Sequence, residues 1–320
     1  LRRFLNIMCR AYLSDFKGEN GESVFIGRAN IGAVALHLPM IWQKSEGKEF
    51  YKDLDYYLEM IRAFHKKRYD AIANQLCSSN PLGFCQGGLY KGTKKPSDKI
   101  GYDIIKSFTA SFGITALNEL NMLMEGKWLD NSDRRLVNEV IDYISDKIAQ
   151  FKKEDGYLYA LYAVPAESLA GTQREQFVKK FGIIEGVSDR AYLTNGFHTH
   201  VTCDISMFEK QDAEYELFHK INGGHIQYVR VLNKDNLEAI KQVVLRGMKM
   251  GFYQGVNIAS ATCEDCGHVT NGLAEKCEVC NSSNLTIISR ACGYLSFYKQ
   301  GGDTRFGDAK IAEIRERKSM

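Results

Sequence analysis

Cys263 and Cys266 form one Cys-x-x-Cys pair, Cys277 and Cys280 form a second, and ten residues including Gly267, Asn271 and Gly272 separate them. No other feature of the sequence restricts the fold as much. Two short knuckles, each presenting two thiolates, can close a tetrahedron around one Zn2+. Four thiolates leave no open coordination position, so such an ion is structural and not catalytic. A segment this short cannot hold itself by an apolar core. Metal binding, worth roughly 10–16 kcal/mol in isolated peptides, takes over that task. An iron site and four unligated thiols are the alternatives. Of the nine cysteines, five fall between Cys263 and Cys292, a clustering that in a cytosolic chain points to metal more than to disulfides. Cys9, Cys77, Cys85 and Cys203 are scattered, and each taken alone reads as a buried thiol.

With 320 residues the chain has room for one large domain, or one domain and a small module. Its 44% hydrophobic and 25% charged residues are ordinary for a soluble globular protein. A net charge of +3 is too small to argue for nucleic acid or membrane. No apolar run approaches the roughly 18 residues of a spanning helix, and no signal-peptide pattern opens the chain, so the expected location is cytoplasmic. The first residue is Leu1, not Met, and a dense motif starts within ten residues of it. A fragment, a processed product or a split gene is the expectation.

Between Gly47 and Gln75 there is no further Gly or Pro, and Leu54, Leu58, Ile61 and Phe64 recur at helical spacing. A second helix is expected over Ile104–Met124. A third starts near Ser132 as N-cap, with Leu136, Val140, Ile141, Ile144 and Ile148 as its buried stripe. Beyond it, Tyr157–Val164 reads as a strand, followed by Pro165 as a helix opener. Ala191–Ile205 reads as strand and loop, Ala213–Ile221 as helix and Ile226–Leu232 as strand. Asn236–Met250 then reads as helix and Phe252–Ala259 as strand. Strands alternating with helices predict a mainly α/β arrangement, either an open sheet or a barrel. The cysteine cluster interrupts it near Ala261, dividing residues 1–260 from residues 261–320.

Ten residues past Cys280 stands Arg290-Ala-Cys-Gly-Tyr294. Here the chain resembles the glycyl-radical enzymes, and among them the anaerobic ribonucleoside-triphosphate reductases, in which this signature follows a four-cysteine zinc site. The chemistry needs glycine, because a Cα radical flattens to share its electron with the amide nitrogen and the carbonyl, and a Cβ would crowd that planar state. The resemblance implies Gly293 as radical carrier. It extends to Cys9-Arg-Ala-Tyr-Leu13 and to Gly27-Arg-Ala-Asn-Ile-Gly-Ala-Val-Ala-Leu36 with Pro39, which look like the family's active-site loop. Cys9 is then the thiyl cysteine that abstracts hydrogen from the 3′ carbon of the sugar, and Asn30 a pocket residue. Ser111–Glu119, Phe181-Gly-Ile183, Ser188-Asp-Arg190, Tyr192–His198, Gly223-Gly-His-Ile226 and Arg305–Glu313 also resemble family segments.

The implied fold is the second part of a ten-stranded α/β barrel carrying the thiyl loop, with a zinc ribbon, glycyl-radical loop and tail over residues 261–320. The implied substrate is a ribonucleoside triphosphate. The radical would be installed by a separate S-adenosylmethionine-dependent iron–sulfur activase. The expected partners are the missing N-terminal half, a second copy in a homodimer, and formate or a thioredoxin-like protein as reductant. Some positions depart from the pattern. Ile7 stands where formate-using members often have Met, and Asn195-Gly-Phe-His198 lacks the hydroxyl of the family's Asn-Ser-Phe-His.

Pro165, Ala166, Glu167 and Ser168 resemble the family's Pro-Ala-Glu-Ser. A strand feeding a helix there leaves N–H groups for nucleotide phosphates; a Pro-opened helix with Glu favouring the dipole is the plain alternative. Asn195 and His198 are candidate substrate contacts. His198 and His200 alternate on an expected strand, and a hydrogen-bonded pocket histidine is favoured there over a second metal site. Two rivals remain at this level: a glycyl-radical enzyme of the formate-lyase type, and a zinc-ribbon module that binds nucleic acid. Glu264, Asp265, Glu275 and Glu278 against Lys276 count against the second.

Overall fold

The computed structural model describes residues 5–6, 11–13, 16–18, 20–87, 90, 92–231, 235–290, 295–300 and 303–318. A short antiparallel pair, β1 (Leu5–Asn6) with β2 (Tyr12–Leu13), precedes β3 (Asn30–His37), α1 (Leu38–Ser45) and α2 (Phe50–Ala73). A one-turn helix α3 (Pro81–Phe84) and another, α4 (Tyr102–Ile105), lead into β4 (Thr109–Thr115). Then follow α5 (Leu117–Glu125), α6 (Arg135–Asp155), β5 (Leu158–Ala163) and α7 (Leu169–Phe181). Strands β3, β4 and β5 form a parallel sheet in that order, with Ala33↔Ser111 and Ser111↔Ala160 in register.

β4 is the centre of this body. All seven of its residues are buried, and it is paired on both edges, by β3 and β5. Ala110, Phe112 and Ile114 face the apolar core, while Ser111 and Thr115 alternate with them and have their hydroxyls satisfied by Asn30, Leu36 and Gln173. The helix expected over Ile104–Met124 is three elements, α4, β4 and α5. Gly113 lies where the sheet is most crowded: a Cβ there would come within 2.4 Å of Val164 Cγ2 and 3.1 Å of Ala35 Cα.

α2 lays Leu54, Leu58, Ile61, His65 and Tyr69 on the core, and Phe64 is half exposed, outside the stripe expected for it. Its two polar core residues reach sheet carbonyls. Tyr69 donates to Phe108 O at 2.7 Å, and His65 Nε2 lies 3.0 Å from Ser111 O. α6 buries Val137, Val140, Ile141, Ile144, Ile148 and Phe151. It starts three residues later than Ser132, whose hydroxyl instead accepts from the Arg134 N–H. Pro165 does not open α7 directly. Ala166 takes a left-handed φ of +49° and the helix begins at Leu169.

Past α7 the chain runs without a strand among the described residues until α8 (Met207–Lys220), so the strand expected within Ala191–Ile205 is absent there. α8 starts earlier than expected because Ser206 and Glu209 form a reciprocal capping box. β6 (Gln227–Arg230) and β7 (Gln254–Asn257) are parallel, joined through α9 (Leu237–Lys249). Asn222, Gly223 and Gly224 run along the outer edge of β5, with Gly223 N donating to Leu161 O and Ala163 N to Gly224 O. A Cβ on Gly223 would sit 2.6 Å from that Leu161 oxygen, so only glycine allows the approach.

The last region changes architecture. β8 (Ser260–Cys263), β9 (Val269–Asn271), β10 (Leu285–Arg290) and β11 (Leu295–Lys299) form an antiparallel sheet in the order β11-β10-β8-β9. α10 (Asp308–Glu316) returns the chain to the α/β body, packing on α7.

Candidate active site and metal centre

The two cysteine knuckles have the same backbone. In one, Gly267 N donates to Cys263 O at 2.9 Å and Cys263 N to His268 O at 2.8 Å; in the other, Asn281 N donates to Cys277 O and Cys277 N to Ser282 O at the same distances. Each turn closes with a left-handed residue, Gly267 at φ +74° and Asn281 at φ +59°, the two residue types that tolerate it best. This repeat brings the four sulfurs within 4.8 Å of one another. Cys263 Sγ lies 3.5 Å from Cys280 Sγ, and Cys266 Sγ lies 3.6 Å from Cys277 Sγ. Thiolates about 2.3 Å from one tetrahedral ion stand roughly 3.8 Å apart, so the donors fit a single metal ion. Backbone N–H groups of Cys280 and Val279 draw the Cys277 thiol down to about 6. Although the Ser282 N–H favours its thiolate, Cys280 is pushed up to about 12 by the Cys263 and Cys266 sulfurs beside it. Four crowded sulfurs that oppose each other's ionisation are a donor set that a cation completes. Cys263, Cys266, Cys277 and Cys280 are the one such metal-ready group among the described residues.

A small cavity lies where the last region meets the body. Thr194, Asn195, His198 and Val201 line it from the loop before α8, and Tyr228 and Arg230 from β6. Asn257 at the end of β7, Arg290 at the end of β10, and Glu313 and Arg317 of the C-terminal helix region complete it. The loop is placed by α5. Ala116 N donates to Thr194 O, and Leu117 N to Gly196 O. Glu119 Oε1 accepts from both the N–H and the hydroxyl of Thr194, at 2.8 and 2.6 Å. Burial pushes the Glu119 carboxyl up to about 7, against the pull of the Thr194 donors.

His198 stands in a buried ionic cluster. Its Nδ1 lies 3.0 Å from Glu214 Oε1, the oxygen that also pairs with Lys210. Burial alone would raise Glu214, but Lys210 and His198 outweigh it and hold the carboxylate down to about 2. The hydrogen bond with Glu214 fixes the orientation of the His198 ring at the cavity. His200 is set apart from it. Its ring stacks between Trp128 and Tyr192, at 4.5 and 5.7 Å, Nδ1 is satisfied by the Thr202 hydroxyl, and burial lowers it to about 4. The two histidines do not form a shared metal site.

The residues singled out in the sequence separate into groups. Asn195 and His198 meet at the cavity, together with Arg290, the first residue of the Arg290–Tyr294 signature. Asn30 lies elsewhere, at the start of β3, where its Nδ2 donates to Ser111 Oγ at 2.7 Å and its Oδ1 accepts from Gly32 N. Pro165, Ala166, Glu167 and Ser168 follow the other end of the parallel sheet. Ser111 pairs with Ala160, five residues before Pro165, roughly 17 Å at strand spacing. Cys9 and Gly293 lie outside the described residues. Glu119, Glu214, Arg230 and Arg317 were not singled out as site residues. For Glu214 and Arg317 the local signal is helical spacing, Lys210 to Glu214 and Lys310 to Glu313 to Arg317, which also describes an ordinary solvated helix face; Glu119 closes the family-like segment Ser111–Glu119, and Arg230 stands on β6.

The family model for anaerobic ribonucleoside-triphosphate reductase matches residues 3–320. The chain is 29% identical over 324 residues to the anaerobic ribonucleoside-triphosphate reductase of Haemophilus influenzae, covering 97% of this chain and 45% of that protein. It is 28% identical over 332 residues to that of Enterobacteria phage T4, covering 97% and 52%. The chain thus spans about half the length of the curated relatives it matches. A solved anaerobic ribonucleotide reductase superposes with a TM-score of 0.71 at 18% identity, over 96% of this chain and 47% of that one. The Thermotoga maritima enzyme in complex with dATP and CTP superposes with a TM-score of 0.61 at 20% identity, over 89% and 45%. These likenesses bear on the fold, a mixed α/β arrangement with parallel strand pairs. Among the described residues no helix is long and apolar enough to cross a membrane.

Proposed function

The chain belongs to the anaerobic ribonucleoside-triphosphate reductase family, and from that premise we propose that it supplies the radical-bearing part of an enzyme reducing ribonucleoside triphosphates to deoxyribonucleoside triphosphates. Gly293 stores the radical, installed by a separate S-adenosylmethionine-dependent iron–sulfur activase. Cys9 becomes the thiyl that takes hydrogen from the sugar's 3′ carbon: an S–H bond forms as the C–H bond breaks, and their similar strengths keep the step reversible. Residues 1–260 contribute the second part of a ten-stranded barrel. Residues 261–320 contribute the ribbon, radical loop and tail. The remaining half of the reductase, a second copy of the chain, and formate or a thioredoxin-like reductant complete the assembly.

One observation carries this reading. Residues expected to meet the sugar, Asn195 and His198, share a cavity with Arg290, where the radical signature begins. His198, held by Glu214, lines the cavity beside Asn195, and Arg230 and Arg317 make the surroundings cationic. Asn30 supports the neighbouring strand from the other end of the sheet. Pro165, Ala166, Glu167 and Ser168 offer the start of α7 to the phosphates. Zn2+ on Cys263, Cys266, Cys277 and Cys280 would hold β8 and β10 together at the foot of the radical loop. It is structural, since the four sulfurs leave it no open position.

Electron paramagnetic resonance after anaerobic activation of the assembled reductase tests the reading. A glycyl signal is expected in the native enzyme and none in Gly293→Ala. Cys9→Ser should keep the signal and form no deoxynucleotide, because an O–H bond is too strong for the glycyl radical to break. Native, zinc-loaded assembly that gains no organic radical from the activase would overturn it.

A further inference from the structure

We propose that Arg317, held by Glu313, is a positioning residue that sets where the β10–β11 pairing ends, and with it the two ends from which the segment carrying Gly293 starts. The proposal rests on the reading of Gly293 as radical carrier. β10 and β11 are paired as far as Arg290↔Leu295, so whatever fixes Arg290 fixes one foot of the connection that contains Gly293. Arg317 Nη1 donates to Arg290 O at 2.9 Å. Its Nε and Nη2 donate to Glu313 Oε1 at 3.0 and 2.9 Å, and the other Glu313 oxygen pairs with Lys310.

Lys310, Glu313 and Arg317 share one face of the C-terminal helix and its last turn, and Lys310 and Glu313 are buried. Buried ion clusters are poor sources of stability, because well-packed apolar side chains do as well or better. What this cluster supplies is direction. A guanidinium is a rigid planar fork that can grip a carboxylate along one edge and present a further N–H to a carbonyl.

The same helix is tied to the substrate side. Lys318 N donates to Val201 O at 2.9 Å. Arg230 Nη1 lies 3.4 Å from both Val201 O and Lys318 O. Val201 belongs to the loop that carries His198, so the segment 317–318 joins the foot of the radical hairpin to the substrate loop. α10 cannot slide to relieve this. A Cβ on Gly171 of α7 would meet Ala309 Cβ at 2.5 Å, and Glu316 accepts from Arg190 and Tyr192 at 2.8 and 2.6 Å. Hydrogen-atom transfer demands close and aligned reacting atoms, and a displacement of about 1 Å can cost about 100-fold in rate.

The test uses the assembled reductase with Arg317→Lys, which keeps the charge but not the fork. Before activation, amide exchange over residues 285–290 and 295–299 should quicken by about tenfold or more, the worth of a hydrogen bond to a charged donor. After activation, radical per chain should stay within about twofold, while product per radical falls about 10- to 100-fold. Zinc content should not change. Glu313→Gln, which keeps one acceptor for Arg317, should give the same pattern with a smaller loss, and serves if the first variant fails to fold. Product per radical equal to that of the native enzyme would overturn the proposal, whatever the exchange rates. Unchanged exchange would overturn it too. If the native assembly gains no radical, the reading of Gly293 falls, and the exchange measurement alone still decides whether Arg317 holds the hairpin.

Discussion

Around β4 the chain buries Phe112, Ile114, Leu54, Leu58, Ile141, Ile144, Phe151 and many more apolar side chains in one continuous core. In the region of the sheet β11-β10-β8-β9 the buried apolar set is Ala261, Cys263, Cys277, Leu285 and Ile287, two of them from the four-cysteine cluster. The body thus has an oily interior that can exclude water by itself. The smaller sheet has a short apolar set beside four clustered sulfurs in place of such an interior. The difference in core predicts that the two regions answer to different perturbations, and the Arg290–Tyr294 motif follows the one with less core.

Removing the metal should have the largest effect. Cys277→Ser, or chelation of the native chain, forfeits an interaction on the scale of about 10 kcal/mol. The chain should carry about one zinc, and its loss should abolish exchange protection in β8 and β10 while α2 and α6 keep theirs. Absence of zinc from reduced, unchelated protein, or equal loss of protection in α2, would break the comparison.

The reciprocal test enters through the body. Phe112 is fully buried on β4, with its ring 5.3 Å from His65, 6.0 Å from Phe151 and 5.5 Å from Tyr159. Phe112→Ala should destabilise the body by about 3–5 kcal/mol in thermal or denaturant unfolding. Metal content should stay the same. If zinc leaves in step with the body's transition, the two regions form one cooperative unit.

Acidity gives the smallest and most selective difference. Glu119 has its folded-state carboxyl raised to about 7 by burial, so the folded chain holds this proton more tightly than the unfolded chain does. Its contribution is fully present below the ordinary carboxylate range and is lost as pH rises through about 7. Glu119→Gln keeps an acceptor for Thr194 and removes the charge. It should flatten the decline in body stability between about pH 4.5 and 7 and leave the variant roughly 2–3 kcal/mol ahead at neutral pH. The ribbon has the opposite slope, since thiolates must shed protons to hold the metal. A stability profile for Glu119→Gln parallel to that of the native chain would show that the carboxylate ionises at no cost in the fold.

Much of this molecule is legible from its residues alone. The spacing Cys263-x-x-Cys266 and Cys277-x-x-Cys280 is local chemistry, and both knuckles close as their spacing requires. The stripes of α2 and α6 are local geometry, because a helix with one wet face repeats its apolar residues every turn. β3 and β4 escape such reading. β4 alternates Ala110, Phe112 and Ile114 with Thr109, Ser111, Gly113 and Thr115, but it stands directly between two short helical stretches, and what makes it a central strand is the pair of strands beside it. Pro165 opens no helix directly because Ala166 first takes a left-handed turn into the packing of Tyr192 and Val201.

The site divides in the same way. Arg290–Tyr294, Asn195 and His198 are visible as motifs, since resemblance attaches to residues in order along the chain. That Arg290 meets Asn195 and His198 at one cavity is a tertiary fact. So is the choice of Glu119 for Thr194, Glu214 for His198 and Arg317 for the carbonyl of Arg290. A sequence shows which groups can donate and accept, but a buried charge takes the partner that folding brings within about 3 Å of it, and that partner is set by packing across the whole core.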